Sequence, residues 1–333
     1  MLVVDDSLVF RESIIRMISL DPQIEVVAVA SNPFEARDRI LEKEPNVLLC
    51  DVEMPGMNGI EFVRRLLPQY FVPVVMVSAV SDKVFEAMEV GAVDFVVKPD
   101  PQRNGSVEAF GRDIIQKIKA ASNVKSAHPK TEPLCGRISG SLTGSSGRII
   151  AIGASTGGTD AIYNVLRVLP PTIPGIVIVQ HIPPVFSKMF AERLNNQTFL
   201  RVKEGESGDF VEQGSVYVAP GDQQMRIKKS GTKYRIECVR GEKVNGHCPS
   251  VDVLFDSVAK EAGADAIGIL LTGMGYDGAK GMLALRRKGG RTIGQDEASS
   301  VVYGMPKVAF DIGGVETQAP LGDIAQVLCG MLK

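Results

Sequence analysis

The chain has 333 residues, which is enough for about two domains with separate hydrophobic cores. Its 37 lysines and arginines nearly balance 39 aspartates and glutamates, so the formal charge of −2 argues against a nucleic-acid partner, and a hydrophobic content of 44% excludes a disordered chain. The sequence has no apolar run of the roughly 20 residues that a membrane span needs and no signal peptide, so we expect a cytoplasmic protein without membrane insertion.

Five short apolar runs, each followed by a helical pattern, fill the first third of the chain. They are LVVD at 2–5, EVVAVA at 25–30, NVLLCD at 46–51, VVMVS at 74–78 and DFVVK at 94–98. β-Branched runs of this length predict buried parallel strands, and their alternation with helices predicts a doubly wound α/β sheet. We expect a first domain over residues 1–121, with Ser7 as the N-cap of its first helix.

Residues 122–147 are dense in Ser, Gly, Pro and Thr and have no apolar period, which predicts a linker. A second alternation over 148–333 contains the runs RIIAIGAS, GIVIVQH, AIGILLTG and RTIGQD and predicts another doubly wound parallel α/β domain. Between His181 and Ala266 the runs GSVYVAP, QMRIKKSG and KYRIECV look like short alternating strands. An antiparallel hairpin insertion is their simplest interpretation.

Polar residues end four strands of the first domain. Asp5 and Asp6 end the first strand, Asp51 the third, Ser78 the fourth and Lys98 the fifth. Because the carboxyl ends of parallel strands meet at one edge, three carboxylates would converge there, and Mg²⁺ is the natural compensating ion. A lone strand-end aspartate is more simply explained as a helix cap, but the joint pattern suits phosphorylation of a carboxylate, with the lysine and serine on phosphoryl oxygens.

These strand ends, together with DVEMPGMNG at 51–59, resemble the receiver domain of two-component response regulators over residues 1 to about 121. The resemblance implies a flavodoxin-like (βα)₅ fold in which Asp51 accepts the phosphoryl group. The implied Mg²⁺ ligands are Asp5, Asp6, Asp51 and the backbone carbonyl of Glu53. The implied switch residues are Ser78, Phe95 and Lys98. The chain departs from the family in having an unusually short first strand.

Gly153, Ser155 and Gly157 form G-x-S-x-G between a predicted strand and a predicted helix, the context in which this motif indicates a nucleophile. The turn would expose the serine hydroxyl, and the free amides of the helix start would favour an oxyanion. Such a turn could also cap the helix or bind phosphate, although Thr159 and Asp160 stand where a P-loop needs its lysine.

A serine nucleophile needs a base, and the chain has three histidines. His128 lies in the predicted linker, where no rigid geometry is expected. His181 ends the run GIVIVQH on the same predicted sheet edge as Ser155 and is therefore the predicted base, although a lone strand-end histidine is more often structural. His247, in GEKVNGHCPS, is either a substrate-binding residue or an ordinary surface histidine, and we favour binding.

The third member of such a site is a carboxylate that orients the base. Asp277 follows the run AIGILL within TGMGYDGAKGM, and its alternative role is a helix N-cap. Less suitable aspartates, because of helical patterns or missing loops, are Asp160, Asp252 and Asp296. The resulting chain order of Ser155, His181 and Asp277 differs from the Ser, acid, His order of α/β-hydrolases.

Three stretches of the second domain are similar to the signature stretches of chemotaxis protein-glutamate methylesterases, the CheB family. They are GASTGG at 153–158, VQHIPP at 179–184 and LLTGMGYDGA at 270–279, and the resemblance covers residues 148–333. It implies a Ser-His-Asp carboxylic ester hydrolase that releases methanol from glutamate γ-methyl esters on chemoreceptors and deamidates receptor glutamines during receptor adaptation. The Met274 amide is the implied oxyanion donor, with Thr156 as a second candidate.

The resemblance also implies that the unphosphorylated receiver obstructs the esterase cleft and that a histidine kinase is the phosphodonor. We expect Mg²⁺ in the receiver, no cofactor in the catalytic domain, no nucleic-acid partner and a monomer. The alternative functions are a DNA-binding response regulator, a receiver-linked esterase for small metabolites or lipids, and a catalytically silent interaction module. Charge balance disfavours the first, and chain order disfavours the second.

Overall fold

In the computed structural model the chain divides into two compact units, Met1–Pro129 and Lys130–Lys333, and each is described by itself. The structure describes residues 1–79, 83–99, 106–124, 147–184 and 186–332. Most of the predicted linker at 122–147, including His128, lies outside the described residues. The predicted domain boundaries at 121 and 148 therefore stay predictions.

A five-stranded parallel sheet forms the centre of the first unit. Its strands are β1 (Leu2–Val4), β2 (Ala28–Ala30), β3 (Leu48–Asp51), β4 (Val74–Ser78) and β5 (Asp94–Val97), in the spatial order β2-β1-β3-β4-β5. The described helices of this unit are α1 (Leu8–Ile18), α2 (Pro33–Lys43), α3 (Gly59–Leu66), α4 (Val84–Glu89) and α5 (Ser106–Ser122). All five predicted strands are confirmed, although the strand at EVVAVA is shorter than predicted.

Local sequence explains both the starts of the helices and the position of the pocket. Ser7 caps α1 by accepting a hydrogen bond from the Phe10 amide (3.3 Å), and Asn32 caps α2 in the same way. The strand order reverses between β1 and β3, where parallel α/β sheets open a crevice at the carboxyl ends of the strands. Asp5 and Asp51 stand at these two ends.

The second unit is built on a seven-stranded parallel sheet and an antiparallel pair. Its strands are β6 (Ile149–Ala154), β7 (Gly175–Gln180), β8 (Arg201–Glu204), β9 (Ser215–Val218), β10 (Gln224–Ser230), β11 (Lys233–Val239), β12 (Ala266–Leu270), β13 (Arg291–Gln295) and β14 (Thr317–Ala319). The large sheet has the order β14-β13-β12-β6-β7-β9-β8. The α-helices are α6 (Gly158–Leu166), α7 (Phe186–Gln197), α8 (Val251–Glu261), α9 (Ala279–Arg287), α10 (Met305–Asp311) and α11 (Ile324–Met331).

The predicted antiparallel hairpin is confirmed for two of its three runs. β10 and β11 pair from Gln224 opposite Val239 to Ser230 opposite Lys233. The run GSVYVAP differs, because Ser215–Val218 is β9, a parallel strand of the large sheet between β7 and β8. All four of its residues are buried, so both faces of this strand are covered and no polar alternation marks it.

The hairpin holds α8 in place over the large sheet. Ile227 of β10, Ile236 of β11 and Leu254 of α8 belong to one buried cluster together with Val177 and Val179 of β7. Full burial of each such side chain stabilises the fold by about 1.5 to 3 kcal/mol. This packing fixes the first turn of α8 near the carboxyl ends of β6 and β7. Within the part of the chain that the structure describes, no helix has both the length and the apolarity to cross a bilayer.

Candidate functional site

The predicted nucleophile and base follow two neighbouring parallel strands. Ser155 comes directly after β6 and His181 directly after β7, and the two strands pair with Ala154 opposite Gln180. The amide of His181 donates to the carbonyl of Ala154 (3.2 Å), and Nε2 of Gln180 donates to the carbonyl of Ser155 (2.9 Å). The strand register therefore brings Ser155 and His181 to the same sheet edge, as the sequence predicted.

Two glycines allow close packing around Ser155. Gly157 has φ +75°, a left-handed conformation that ends the turn after Ser155 and begins α6. Gly273 lies so close that a Cβ at this position would stand 2.7 Å from the Cβ of Ser155. Because the Ser155 amide also donates to the carbonyl of Thr272 (3.0 Å), the loop after β12 packs directly on the nucleophile turn.

The predicted oxyanion donors, the amides of Met274 and Thr156, lie in these two adjoining loops. We find no hydrogen bond from either amide to another residue in the described ranges. The loops are tied together by Thr272, whose hydroxyl donates to the carbonyl of Thr156 (3.0 Å) and accepts from the amide of Val302 (2.9 Å). Neither amide is therefore committed to another described residue, as an oxyanion donor requires.

The carboxylate of Asp277 accepts hydrogen bonds at both of its oxygens. Oδ2 contacts Nε2 of His181 (2.8 Å) and the amide of Val251 (2.7 Å). The donors to Oδ1 are Ser250 Oγ (2.7 Å), Asn245 Nδ2 (2.8 Å) and the amide of Asp252 (3.2 Å). The two amides open α8, so the carboxylate neutralises the positive end of that helix. The alternative role as a cap of its own helix is wrong, because α9 has no side-chain cap.

The hydrogen bonds to Asp277 favour its ionised form. Burial would raise the pKa of Asp277, but the hydrogen bonds from His181, Asn245 and Ser250 outweigh it and hold the pKa well below its usual value. An ionised carboxylate only accepts, so Nε2 of His181 is the donor to Asp277, and in the neutral imidazole Nδ1 then carries the lone pair.

Nδ1 of His181 is buried and has no hydrogen-bond partner among the described residues. A base with a free nitrogen is what a serine nucleophile requires. In the serine protease template the acid holds Nδ1 and the serine contacts Nε2. In this chain the carboxylate of Asp277 binds Nε2 instead, and Nδ1 is the ring nitrogen without a partner among the described residues.

Two further residues of the site were not predicted as neighbours of the base and the acid. The ring of His247 stacks on the ring of His181, so the alternative of an ordinary surface histidine is wrong. Asn245 donates to Asp277, and Asn-Gly at 245–246 is a sequence signal for a tight turn. That signal locates a turn but does not reveal which residue the turn contacts.

A second cluster lies at the edge of the first unit's sheet. Carboxylate oxygens of Asp5, Asp6 and Asp51 lie within 4.8 Å of one another, and Asp6 is exposed while the other two are buried. Nζ of Lys98 donates to Oδ2 of Asp5 (3.0 Å) and Oδ2 of Asp51 (2.8 Å). Ser78 is fully buried at the end of β4, where the strand register pairs Asp51 with Val77 and Ser78 with Val97, so these strand ends lie side by side as the sequence predicted.

The contacts of Asp51 fit a divalent cation. Burial raises the pKa of Asp51 to about 6, with Lys98 opposing this rise and Asp5 adding to it. Oδ1 of Asp51 is buried and lacks a hydrogen-bond partner within the described residues. A bare carboxylate oxygen beside two further carboxylates is suited to an oxygen-ligated ion such as Mg²⁺.

The remaining predicted receiver residues lie close to this cluster in sequence. Glu53 is exposed two positions after Asp51, and only its backbone carbonyl is a predicted ligand. Phe95 is buried on β5, and Nζ of Lys117 lies 4.8 Å from the centre of its ring. The roles of Ser78, Lys98 and Phe95 in switching stay predictions.

Comparisons with known proteins cover both units. A family model described as CheB methylesterase matches residues 150–328, and a model described as response regulator receiver domain matches residues 1–105. A Syntrophomonas wolfei protein described as protein-glutamate methylesterase/protein-glutamine glutaminase 2 is 55% identical over 332 residues, which cover 100% of this chain and 97% of that protein. A Salmonella typhi protein described as protein-glutamate methylesterase/protein-glutamine glutaminase is 45% identical over 336 residues, which cover 100% of this chain and 96% of that protein.

Among solved structures, the catalytic domain of the Thermotoga maritima CheB methylesterase is similar to part of the chain. The two are 38% identical with a TM-score of 0.55, and the match covers 56% of this chain and 99% of that domain. The similarity therefore extends over about the length of the second unit.

Proposed function

Because this chain belongs to the CheB methylesterase family and also carries a response regulator receiver domain, we propose that it is a phosphorylation-regulated protein-glutamate methylesterase acting in receptor adaptation. It hydrolyses glutamate γ-methyl esters on chemoreceptors and releases methanol. One observation carries the proposal: His181 is held by ionised Asp277 at Nε2, while its buried Nδ1 lacks a partner among the described residues, at the strand edge that also carries Ser155.

In the first half of the reaction Oγ of Ser155 attacks the ester carbonyl, and its proton passes to Nδ1 of His181. The negative charge that develops on the carbonyl oxygen is stabilised by the amides of Met274 and Thr156. Each such donor contributes about 2.7 to 4 kcal/mol of barrier lowering. The carbon–methoxide bond then breaks, and methoxide takes the proton from Nδ1 and leaves as methanol.

In the second half a water molecule attacks the acyl carbon, and its proton passes to Nδ1 of His181. The bond to Oγ of Ser155 breaks, Oγ recovers the proton, and the glutamate carboxyl group is released. Asp277 remains ionised throughout and stabilises the imidazolium that forms twice in the cycle. The same steps applied to a glutamine amide release ammonia, so we also propose that the chain deamidates receptor glutamines.

The substrate class is tested by comparing two esters with the full chain. We expect methanol release from a membrane preparation of methylated chemoreceptor, and no comparable turnover of a short-chain ester of a small alcohol. Equal or faster turnover of the small ester would support the alternative of a metabolite or lipid esterase. Ammonia release from a receptor that carries glutamines at the same positions tests the deamidase activity.

Phosphorylation of Asp51 by a histidine kinase is proposed to raise the esterase activity. Mg²⁺ held by Asp5, Asp6, Asp51 and the Glu53 carbonyl would neutralise charge on the incoming phosphoryl group. Lys98 and Ser78 are the proposed donors to phosphoryl oxygens, and Phe95 is the proposed switch residue. Phosphorylation replaces the single negative charge of the Asp51 carboxylate by a phosphoryl group with about two, and such a change at one strand end is enough to shift an equilibrium between states that differ by a few kcal/mol.

We expect acetyl phosphate with Mg²⁺ to raise methanol release between about 5- and 150-fold, the range of typical allosteric couplings. In the Asp51→Asn variant this increase should disappear, because an amide cannot accept the phosphoryl group. Methanol release with and without the phosphodonor measures both effects. The control is Asp38→Asn, which removes an exposed receiver carboxylate and should keep the full increase. An undiminished increase in Asp51→Asn would exclude this residue as the phosphoacceptor.

The proposed Mg²⁺ site is tested at its exposed ligand. Asp6→Asn should weaken Mg²⁺ binding by at least about tenfold, because one anionic oxygen ligand is lost while the buried residues of the pocket are unchanged. Titration calorimetry of the full chain with MgCl₂ measures the affinity. Asp38→Asn again serves as the matched control and should bind like the native chain. Equal affinities in all three proteins would place the ion elsewhere.

A further inference from the structure

The ring of His247 lies flat against the ring of the proposed base. The ring centres of His181 and His247 are 3.6 Å apart, and the planes differ by 6°. At this separation the two rings are in van der Waals contact and almost directly above each other. The sequence left the role of His247 open, and the proposed triad chemistry does not use it.

A tight turn presents His247 in this position. Val244 and His247 exchange two backbone hydrogen bonds of 2.9 Å, while Asn245 (φ 54°) and Gly246 (φ 87°) adopt left-handed conformations between them. Left-handed central residues are the mark of a type I′ turn, for which Asn-Gly is the preferred sequence. The turn is therefore a defined structure encoded locally.

A buried glutamine anchors this turn to the rest of the unit. Nε2 of Gln224 donates to the carbonyls of Glu242 (3.0 Å) and His247 (3.3 Å), and its Oε1 accepts from the amide of Ser250 (2.9 Å). Gln224 lies at the start of β10 and is 4% exposed. The backbone that carries the stacked ring of His247 is thus held by hydrogen bonds on both sides.

The same turn also contacts the acid. Nδ2 of Asn245 donates to Oδ1 of Asp277 and to Oδ2 of Asp252, each at 2.8 Å. One four-residue turn therefore touches both His181, through a ring, and Asp277, through an amide. A turn that served only to connect β11 with α8 would need neither contact.

His247 is uncharged under ordinary conditions. Burial, and then the charge of a protonated His181, lower the pKa of His247 to about 3. Two neutral aromatic rings stacked directly above each other gain little interaction energy, because neutral rings prefer offset or edge-on arrangements. A neutral ring above a cationic ring is attractive, as in other cation–π contacts. The stack is therefore more favourable when His181 carries the proton of Ser155 than when it does not.

We propose that His247 is a positioning residue for the base: its ring holds His181 with Nε2 on Asp277 and Nδ1 free for Ser155, and its π face stabilises the imidazolium formed during ester hydrolysis. This inference rests on the proposed function. Because the interaction strengthens only as the transition state is approached, it raises kcat more than it affects KM.

Two substitutions at His247 distinguish the effect of an aromatic ring from the effect of side-chain volume. His247→Phe keeps a flat neutral ring, whereas His247→Leu keeps apolar bulk without a π face. For methanol release by the phosphorylated full chain, we expect kcat to fall about tenfold in His247→Leu and to stay within about threefold of the native value in His247→Phe, with KM for the receptor nearly unchanged in both. If both variants lose kcat equally, or if only KM changes, the proposal is wrong.

A substrate-free measurement keeps this inference separate from the proposed function. With three histidines in the chain, ¹⁵N-histidine labelling resolves the ring nitrogens of His181 by NMR. The native chain and His247→Phe should show a single tautomer protonated at Nε2, and His247→Leu a mixture of tautomers. A single tautomer in His247→Leu would overturn the positioning role, whereas a native chain with this tautomer but no methanol release would overturn only the proposed function.

Folding of the variants is checked by thermal unfolding. If His247→Leu does not fold, His247→Gln replaces it, because its planar amide fills part of the space but lacks an aromatic ring. The same loss of kcat and of the single tautomer is expected for His247→Gln. Native kcat together with a single tautomer in His247→Gln would overturn the proposal.

Discussion

Replacing Ser155 by alanine should lower kcat for methanol release by a factor on the order of 10⁶, as expected when the nucleophile of a serine hydrolase is removed. Without Oγ no acyl-enzyme can form, and His181 has no hydroxyl to deprotonate. The rate acceleration that remains in this variant comes from substrate binding and from the proposed oxyanion donors. Methanol released from methylated receptor by Ser155→Ala and by the native chain gives the ratio.

A matched control removes a hydroxyl from the same unit outside the site. Ser257 of α8 accepts from the amide of Ile227 (3.0 Å) and donates to the carbonyl of Leu254 (2.7 Å), with no contact to the site. Ser257→Ala should lose about 1 kcal/mol of stability and keep full turnover.

A fluorophosphonate reagent provides a second test that needs no receptor. It should add covalently to the peptide that contains Ser155 in the native chain and in Ser257→Ala, and leave Ser155→Ala unmodified. Substantial turnover by Ser155→Ala, or labelling of a different serine, would remove Ser155 from the mechanism.

The second large effect is expected for Asp277→Asn, which should lower kcat about 10⁴-fold, as loss of the acid does in the serine protease template. An amide carries no charge to stabilise the imidazolium of His181. Its NH₂ group also replaces one of the two carboxylate oxygens and must then face hydrogen-bond donors. The second consequence is a loss of about 1 to 3 kcal/mol of stability, because α8 loses a hydrogen-bond acceptor at its first turn. Kinetics and thermal unfolding measure the two effects independently.

The neighbouring carboxylate Asp252 distinguishes catalysis from packing. Its Oδ2 accepts from Asn245 (2.8 Å) and its Oδ1 from the amide of Gly281 (2.7 Å), without a contact to His181. Asp252→Asn should therefore destabilise the fold to a similar extent but lower kcat by less than about tenfold. If both variants lose activity equally, the loss in Asp277→Asn reflects damage to α8 rather than the missing charge.

The strand-end residues could be predicted because their chemistry is encoded next to an apolar run. Asp51, Ser155 and His181 each end or directly follow a buried strand. In each unit, parallel pairing places the carboxyl ends of the strands on one edge of the sheet, independently of the conformation of the loops. The short strands β8 and β14 were missed because RVKE and TQA carry no apolar run. The sequence predicted β9 as part of the hairpin because a strand that is buried on both faces shows no polar alternation. Its sequence therefore does not indicate whether it belongs to the large parallel sheet or to the antiparallel pair.

The two α/β patterns and the strand ends that carry Asp51, Ser155 and His181 can be predicted from the sequence alone. Three contacts are visible only in the folded chain: Nε2 of His181 faces Asp277, Asp277 binds the start of α8, and the ring of His247 stacks on that of His181. These contacts join positions up to 96 residues apart through the packing of the hairpin and α8 on the sheet. No local periodicity encodes these contacts, since they depend on how segments that are far apart in the sequence pack against one another.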